Sequence, residues 1–317
     1  MPPLRNVVET TRTVTTPDGA ALRVHARGPE DAPLTVVLAH GWTLTADTWR
    51  SQATALVSGR LGLPCGAVRV ISWEQRGHGG STLGGHPLSV DLLGEDLAHV
   101  IDASAPSGPV VLGGHSMGGM TIMALAAARP GFVAERVAGV ALVSTSAGHL
   151  DTGLPGHPLR ARVAAACRRG LMDTLVRFPE RAERLRAVVP PRLALHRAAV
   201  GRLLFGPGAD PLWVRDCAEL VHATPADVIG AFYPALMAHD KIWRLRALRE
   251  VPVSILSGTA DRLTPVRHAR ALARALPGAR LEVLPGRGHM LPLEAADVVG
   301  DHLARLCREA ADGSEHR

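Results

Sequence analysis

Gly114-His115-Ser116-Met117-Gly118 closes the apolar run Pro109-Val-Val-Leu-Gly113. The run reads as a buried strand, and Ala124–Ala128 downstream reads as a helix. Between them, Gly-x-Ser-x-Gly places a serine on a tight strand-to-helix turn. Small residues on either side let the backbone bend without a Cβ clash. Such a turn lifts the hydroxyl out of the fold and makes Ser116 a candidate nucleophile. An ordinary turn serine would need neither the strand before it nor the helix after it.

A nucleophilic serine requires a base and a group to orient that base. On a strand–turn–helix elbow the expected chain order is serine, acid, histidine. Val251-Pro-Val-Ser-Ile-Leu-Ser-Gly-Thr-Ala-Asp261 reads as a strand and glycine turn with Asp261 at the carboxyl end. Leu281-Glu-Val-Leu-Pro-Gly-Arg-Gly-His289 repeats that arrangement with a histidine. The gap from Ser116 to Asp261 leaves room for an inserted segment; the gap from Asp261 to His289 fits one helix and one strand. Asp261 could instead cap the next helix, but Thr264-Pro265 reads as a better start, with Thr as N-cap and Pro at the first helical position. His289 is one of 15 histidines; its place after the last strand, between Gly288 and Met290, singles it out.

With these residues in view the chain resembles the α/β-hydrolase family over nearly its whole length. His40-Gly41-Trp42, after the strand Leu34–Ala39, is similar to that family's His-Gly-x oxyanion loop. Arg76-Gly77-His78-Gly79 with Ser81 resembles its Arg-Gly-x-Gly-x-Ser turn, and Gly288-His289-Met290 with Pro292 and Glu294 resembles the setting of its catalytic histidine. Glu74 departs from the Asp usual two residues before the arginine, a change expected to act on loop packing and not on the triad. The resemblance implies a Ser116–His289–Asp261 triad and an oxyanion hole built from the backbone N–H groups of Met117 and Trp42. The Met117 amide would also lie at a helix N-terminus, where the dipole favours negative charge. His40 is a candidate substrate contact, although holding the loop by hydrogen bonds to nearby backbone is the stronger expectation for it.

The expected fold class is α/β: an α/β-hydrolase fold with a mostly parallel, doubly wound sheet and an inserted, mainly helical lid. Residues 9–28 read as two antiparallel strands joined by the Thr16-Pro-Asp-Gly19 turn. In Leu22–Arg27 polar and apolar residues alternate, as in an edge strand with one wet face. The runs 34–39, 67–73, 109–113, 137–144, 251–257 and 280–284 read as parallel strands buried on both faces. Helices are expected near 46–60, 89–104, 117–129, 265–276 and 293–309, with Ser89 as N-cap of the second. The catalytic core would then be 1–148 and 241–317, and the lid 149–240. Residues 311–317 look like a frayed tail.

The lid stretch contains no convincing strand. Its residues 160–202 carry eleven Arg against three acidic residues. A cationic rim for an acidic substrate and a solvated helical face both fit, the second better. Trp213, Phe232 and Tyr233 of this segment, with Met290, are candidate substrate contacts. Met172, Phe178, Leu203, Leu204, Phe205 and Met237 are further apolar candidates, many of them expected to be lid core.

The formal net charge is +6, yet the basic residues are scattered and almost all Arg, Lys241 being the only lysine. Aromatics make up 3% of the chain, so nucleic-acid binding is not expected. The Arg, Ala and Gly bias fits a high-GC bacterial genome. Cys65, Cys167, Cys217 and Cys307 lack C-x-x-C spacing; four reduced thiols are expected, with no metal site. No cofactor is called for. The first residues lack the apolar stretch of a signal peptide, and no apolar run is long enough to span a membrane, so a cytoplasmic location is expected.

The leading function is hydrolysis of a carboxylic ester or lactone of a small to medium apolar substrate. A thioester, amide or C–C bond hydrolase, a perhydrolase, a non-hydrolytic cyclisation or acyl-transfer enzyme of natural-product assembly, and a slow ligand receptor remain open on the same scaffold. Haloalkane dehalogenases and many epoxide hydrolases carry Asp at the elbow, where this chain has Ser116. The chain's single tyrosine, Tyr233, also argues against a tyrosine-pair epoxide site.

Overall fold

The fold was obtained as a computed structural model, which describes residues 9–150, 158–188 and 193–314. The expectations for the first eight residues, for 315–317 and for parts of the inserted segment lie outside these. One eight-stranded sheet carries the molecule, in the order β1-β2-β4-β3-β5-β6-β7-β8. Its strands are β1 Glu9–Thr15, β2 Ala21–Arg27, β3 Leu34–Ala39, β4 Val68–Trp73, β5 Val110–His115, β6 Val137–Val143, β7 Val253–Gly258 and β8 Arg280–Leu284. From β4 to β8 every neighbouring pair is parallel; β1 and β2 pair antiparallel, as do β2 and β4. The chain winds one way from β3 to β4 and the other way from β5 onward. The carboxyl ends of β3 and β5 therefore flank the switch point at which ligands bind in such sheets.

Helices cover both faces. Helix α1 (Arg50–Val57) and the C-terminal helix α11 (Ala296–Ser314) lie on one side, where Val36, Leu38, Val111, Ala141 and Leu256 are buried. On the other side α2 (Val90–Ser104), α3 (Met117–Ala128) and α10 (Val266–Ala275) pack over Val37, Leu112, Leu142 and Ile255. Successive strand residues thus feed two cores, which is why the central strands read as continuous apolar runs. Ser89 caps α2, its hydroxyl accepting from the Leu92 N–H at 3.0 Å.

Four expectations are corrected. Leu22–Arg27 is not the edge: β1, almost wholly exposed, takes that place, and β2 alternates because Leu22, Val24 and Ala26 alone face the core. The last strand, β8, is the opposite edge and only half-buried. A short helix α4 (Pro130–Arg136), started by its proline, follows α3 before β6. The C-terminal helix continues through Ser314, so 311–314 is ordered helix and not tail.

Between β6 and β7 the described chain is helical: α5 Pro158–Arg177, α6 Pro179–Val188, α7 Ala194–Leu204, α8 Pro211–Ala223 and α9 Ala226–Ala238. Helix α5 packs mainly on α9, and α7 on α8. No single helix among the described residues is long and apolar enough to cross a membrane. The largely apolar α3 is buried against β5 and α2.

A buried ion cluster ties the β4 turn to the rest. The Arg76 guanidinium, fully buried, donates twice to Asp96 at 2.6 Å, to Asp18 at 2.8 Å and to the Leu83 carbonyl at 2.6 Å. It joins the β1–β2 hairpin, the β4 turn and α2 with one side chain. Removing one partner leaves uncompensated buried charge, whereas a lysine cannot serve two carboxylates in a fork. Arg76→Ala is expected to lower the unfolding free energy by about 3–5 kcal/mol in urea titration, with Arg76→Lys recovering only part.

Candidate active site

Ser116 sits between β5 and α3 with φ 53° and ψ −116°, a left-handed strain for a residue with a Cβ. Its surroundings over-determine this conformation. The Ser116 N–H donates to the Val143 carbonyl at 2.9 Å, and its own carbonyl accepts from the Thr145 hydroxyl at 2.6 Å. A Cβ at position 118 would run into the Ala39 carbonyl, and one at position 114 into the Gly118 backbone. Both motif glycines are there so that α3 can start against the end of β3.

Two amides flank that close approach in sequence, one on each element. Met117 opens α3, and Trp42 follows β3 on the adjoining loop. Neither backbone N–H has a hydrogen-bond partner among the described residues. The loop is held by His40, fully buried, whose Nδ1–H donates to the Gly41 carbonyl at 2.7 Å while Nε2 accepts the Gln75 N–H at 2.9 Å. The Gln75 side chain returns a hydrogen bond to the His40 carbonyl and accepts one from Thr121. With both ring nitrogens engaged on backbone, His40 is a brace of the loop. Glu74 also reaches it, accepting from the Ala46 N–H at 3.2 Å, with Gly79 pressed against its carboxylate.

Asp261 and His289 meet. His289 Nδ1 donates to Asp261 Oδ2 at 2.9 Å, both side chains being buried. Three more donors complete the carboxylate: the Leu263 and Thr264 N–H groups on Oδ1, at 2.9 and 2.8 Å, and the Thr264 hydroxyl on Oδ2 at 2.8 Å. Burial pushes the Asp261 pKa up, but the His289 ring and these hydrogen bonds outweigh it and hold the carboxyl below its ordinary range. Thr264 is therefore not the N-cap of α10: Pro265 holds that position with no side-chain bond, and the threonine hydroxyl is spent on Asp261. Donation from Nδ1 to the carboxylate leaves Nε2 of His289 as the acceptor nitrogen.

The histidine loop is pinned from two directions. His115, the second residue of the elbow motif, donates Nε2–H to the His289 carbonyl at 2.9 Å, the two rings lying 5.0 Å apart. From the inserted helices, the Leu204 carbonyl accepts the His289 N–H at 2.7 Å, and buried Glu294 accepts from both Gly206 and Gly288. Sequence reading missed His115, Thr264, Gln75 and Thr145 as parts of this site. His115 was visible inside the motif and Thr264 carried a competing local signal as an N-cap, while Gln75 and Thr145 had none, because each acts on the backbone of a residue distant in sequence.

The apolar candidates separate. Tyr233 comes to Trp42, with ring centroids 6.4 Å apart. Phe232 is fully buried in the main core, against the His78 ring at 5.3 Å. Met290, also fully buried, and half-buried Trp213 join a smaller cluster with Leu44, Leu204 and Phe205.

The comparisons with known proteins agree with this architecture. Residues 36–301 match the alpha/beta hydrolase family. The chain belongs to that family. It is 30% identical over 278 residues to a non-heme haloperoxidase of Rhodococcus erythropolis, covering 84% of this chain and 90% of that one. It is 35% identical over 147 residues to a non-heme chloroperoxidase of Streptomyces lividans, a match that spans 46% of this chain and half the length of that relative. Among solved structures, the enol-lactonase of Burkholderia xenovorans superposes with a TM-score of 0.66 at 25% identity, covering 90% of this chain and 96% of that one. Family and relatives together support a hydrolase.

Three buried imidazoles surround the site in neutral form. Burial lowers the pKa of His40, and burial with a neighbouring histidine pushes His78 and His115 down to about 3. In the unfolded chain each returns to about 6.5. Unfolding therefore takes up protons below that value, and stability held above about pH 6.5 is lost as pH falls toward 3. Urea midpoints are expected to fall steadily from about pH 7 to about pH 4, with NMR showing the His78 and His115 rings still neutral near pH 5.

Proposed function

We propose that the protein hydrolyses a carboxylic ester or lactone through an acyl-enzyme on Ser116. The observation that carries this reading is the saturated Asp261 carboxylate bonded to His289 Nδ1, on a sheet that also presents a strained serine at the switch point. Asp261 keeps the imidazole in one tautomer, with Nε2 as base. His289 takes the Ser116 proton as Oγ attacks the substrate carbonyl. The Met117 and Trp42 amides receive the developing oxyanion, with the N-terminal end of α3 adding its dipole. His289 then protonates the leaving alcohol, and water activated by the same nitrogen releases the acid. The five helices 158–238 act as a lid over this crevice, Tyr233 beside Trp42 forming part of the substrate wall.

The haloperoxidase names belong to the relatives. A cyclic ester, the substrate class named in the Burkholderia enol-lactonase, suits the same carbonyl chemistry. Ser116→Ala is expected to lower kcat on a p-nitrophenyl ester by about six orders of magnitude, and a fluorophosphonate probe to label Ser116 alone. Undiminished turnover by that variant would remove the covalent route. Asp261→Asn is expected to cost about 10⁴ in kcat with KM nearly unchanged, because it misorients the tautomer without disturbing the pocket.

A further inference from the structure

Nine of the twelve large hydrophobic side chains that stand exposed among the described residues fall between Val163 and Leu203. The same stretch carries the excess of eleven Arg over three acidic residues in 160–202. A solvated helical face explains the arginines and leaves the exposed apolar groups without a reason. Their arrangement on α6 is ordered. On one side of the helix, Glu183 accepts from the Ala226 N–H at 2.7 Å, and Arg186 donates to the Val221 and Thr224 carbonyls at 3.1 and 2.9 Å. These contacts fasten α6 to α8 and α9. On the opposite side stand Arg181, Arg184, Leu185 and Val188, at the i, i+3, i+4, i+7 spacing of one face. Leu185 is 69% exposed and Val188 75%, and α6 has no buried residue.

At the corner between α5 and α6, Phe178 is 43% exposed. The Arg177 and Arg181 guanidinium groups lie 5.9 and 5.2 Å from its ring centroid. Glu180, 3.5 Å from Arg184, offsets one of these charges and leaves the patch cationic. Apolar side chains interleaved with arginine around an exposed aromatic suit a surface that offers hydrocarbon beneath a layer of negative charge. A second copy docked by a two-fold axis would press arginine against arginine.

We propose that the outer face of α6, with the Phe178 corner, docks this protein on an anionic lipid bilayer as a peripheral contact. The proposal is independent of the reaction assigned to Ser116.

Co-sedimentation with vesicles tests it. Vesicles of phosphatidylcholine with roughly 30 per cent phosphatidylglycerol are expected to bind the full chain at low salt, with pure phosphatidylcholine at least about tenfold weaker and binding lost at high salt. Leu185→Ser/Val188→Ser and, separately, Arg181→Gln/Arg184→Gln are each expected to weaken binding by about tenfold. The thermal midpoint and ester turnover should stay unchanged, since none of the four side chains is buried. Three results would overturn the proposal: no binding to the anionic vesicles at low salt, equal binding to both vesicle types, or binding indifferent to both pairs of substitutions. A stable dimer in sedimentation velocity that the serine pair dissociates would assign the face to a second copy. Heparin binding without vesicle binding would assign it to a soluble polyanion.

Discussion

The start of α3 against the end of β3 is the contact on which the site depends. Only a residue without a Cβ fits at position 118 beneath the Ala39 carbonyl, and only one without a Cβ fits at 114 beneath the Gly118 backbone. This pair of close approaches accompanies the left-handed conformation of Ser116 and sets the start of the helix against Ala39 at the end of β3. The strain is offset by two hydrogen bonds at the Ser116 backbone, its N–H donating to β6 and its carbonyl accepting from the Thr145 hydroxyl, so the elbow is part of the sheet and not an appendage. The proposed nucleophile and the proposed oxyanion donors are thereby positioned by one packing constraint.

Asp261 and His289, the proposed acid and base, are organised by a different principle, saturation of hydrogen bonds. Asp261 accepts four donors and His289 is gripped through both its N–H and its carbonyl. A buried carboxylate with every lone pair engaged stays charged and holds its partner's tautomer. The inserted helices take part directly, since Leu204 and Gly206 bond to the histidine loop and its Glu294. The proposed lid and the proposed base are therefore joined by direct hydrogen bonds.

Most of the sheet was legible because the central strands are buried on both faces, and a strand so placed must be apolar throughout. The errors fell at the margins, where that rule weakens. β8 is half-buried, and Leu22–Arg27 alternates whether it lies at an edge or one strand inside it. Thr264 shows a second kind of error. Thr-Pro ahead of a helix is a sound local capping signal, yet a buried carboxylate three residues earlier competes for the same hydroxyl and wins, because an unfilled lone pair on Asp261 costs more than an uncapped helix end.

The sequence by itself determined the strand–helix alternation, the serine elbow and the order of serine, acid and histidine, since periodicity, glycine spacing and motif context are local properties of the chain. Only the tertiary structure decided that Asp261 and His289 bond, that His115 braces His289 from 174 residues away, and that Phe232 belongs to the core while Tyr233 faces Trp42. Those are matters of which side chains converge in space, and convergence is set by packing that no local pattern encodes.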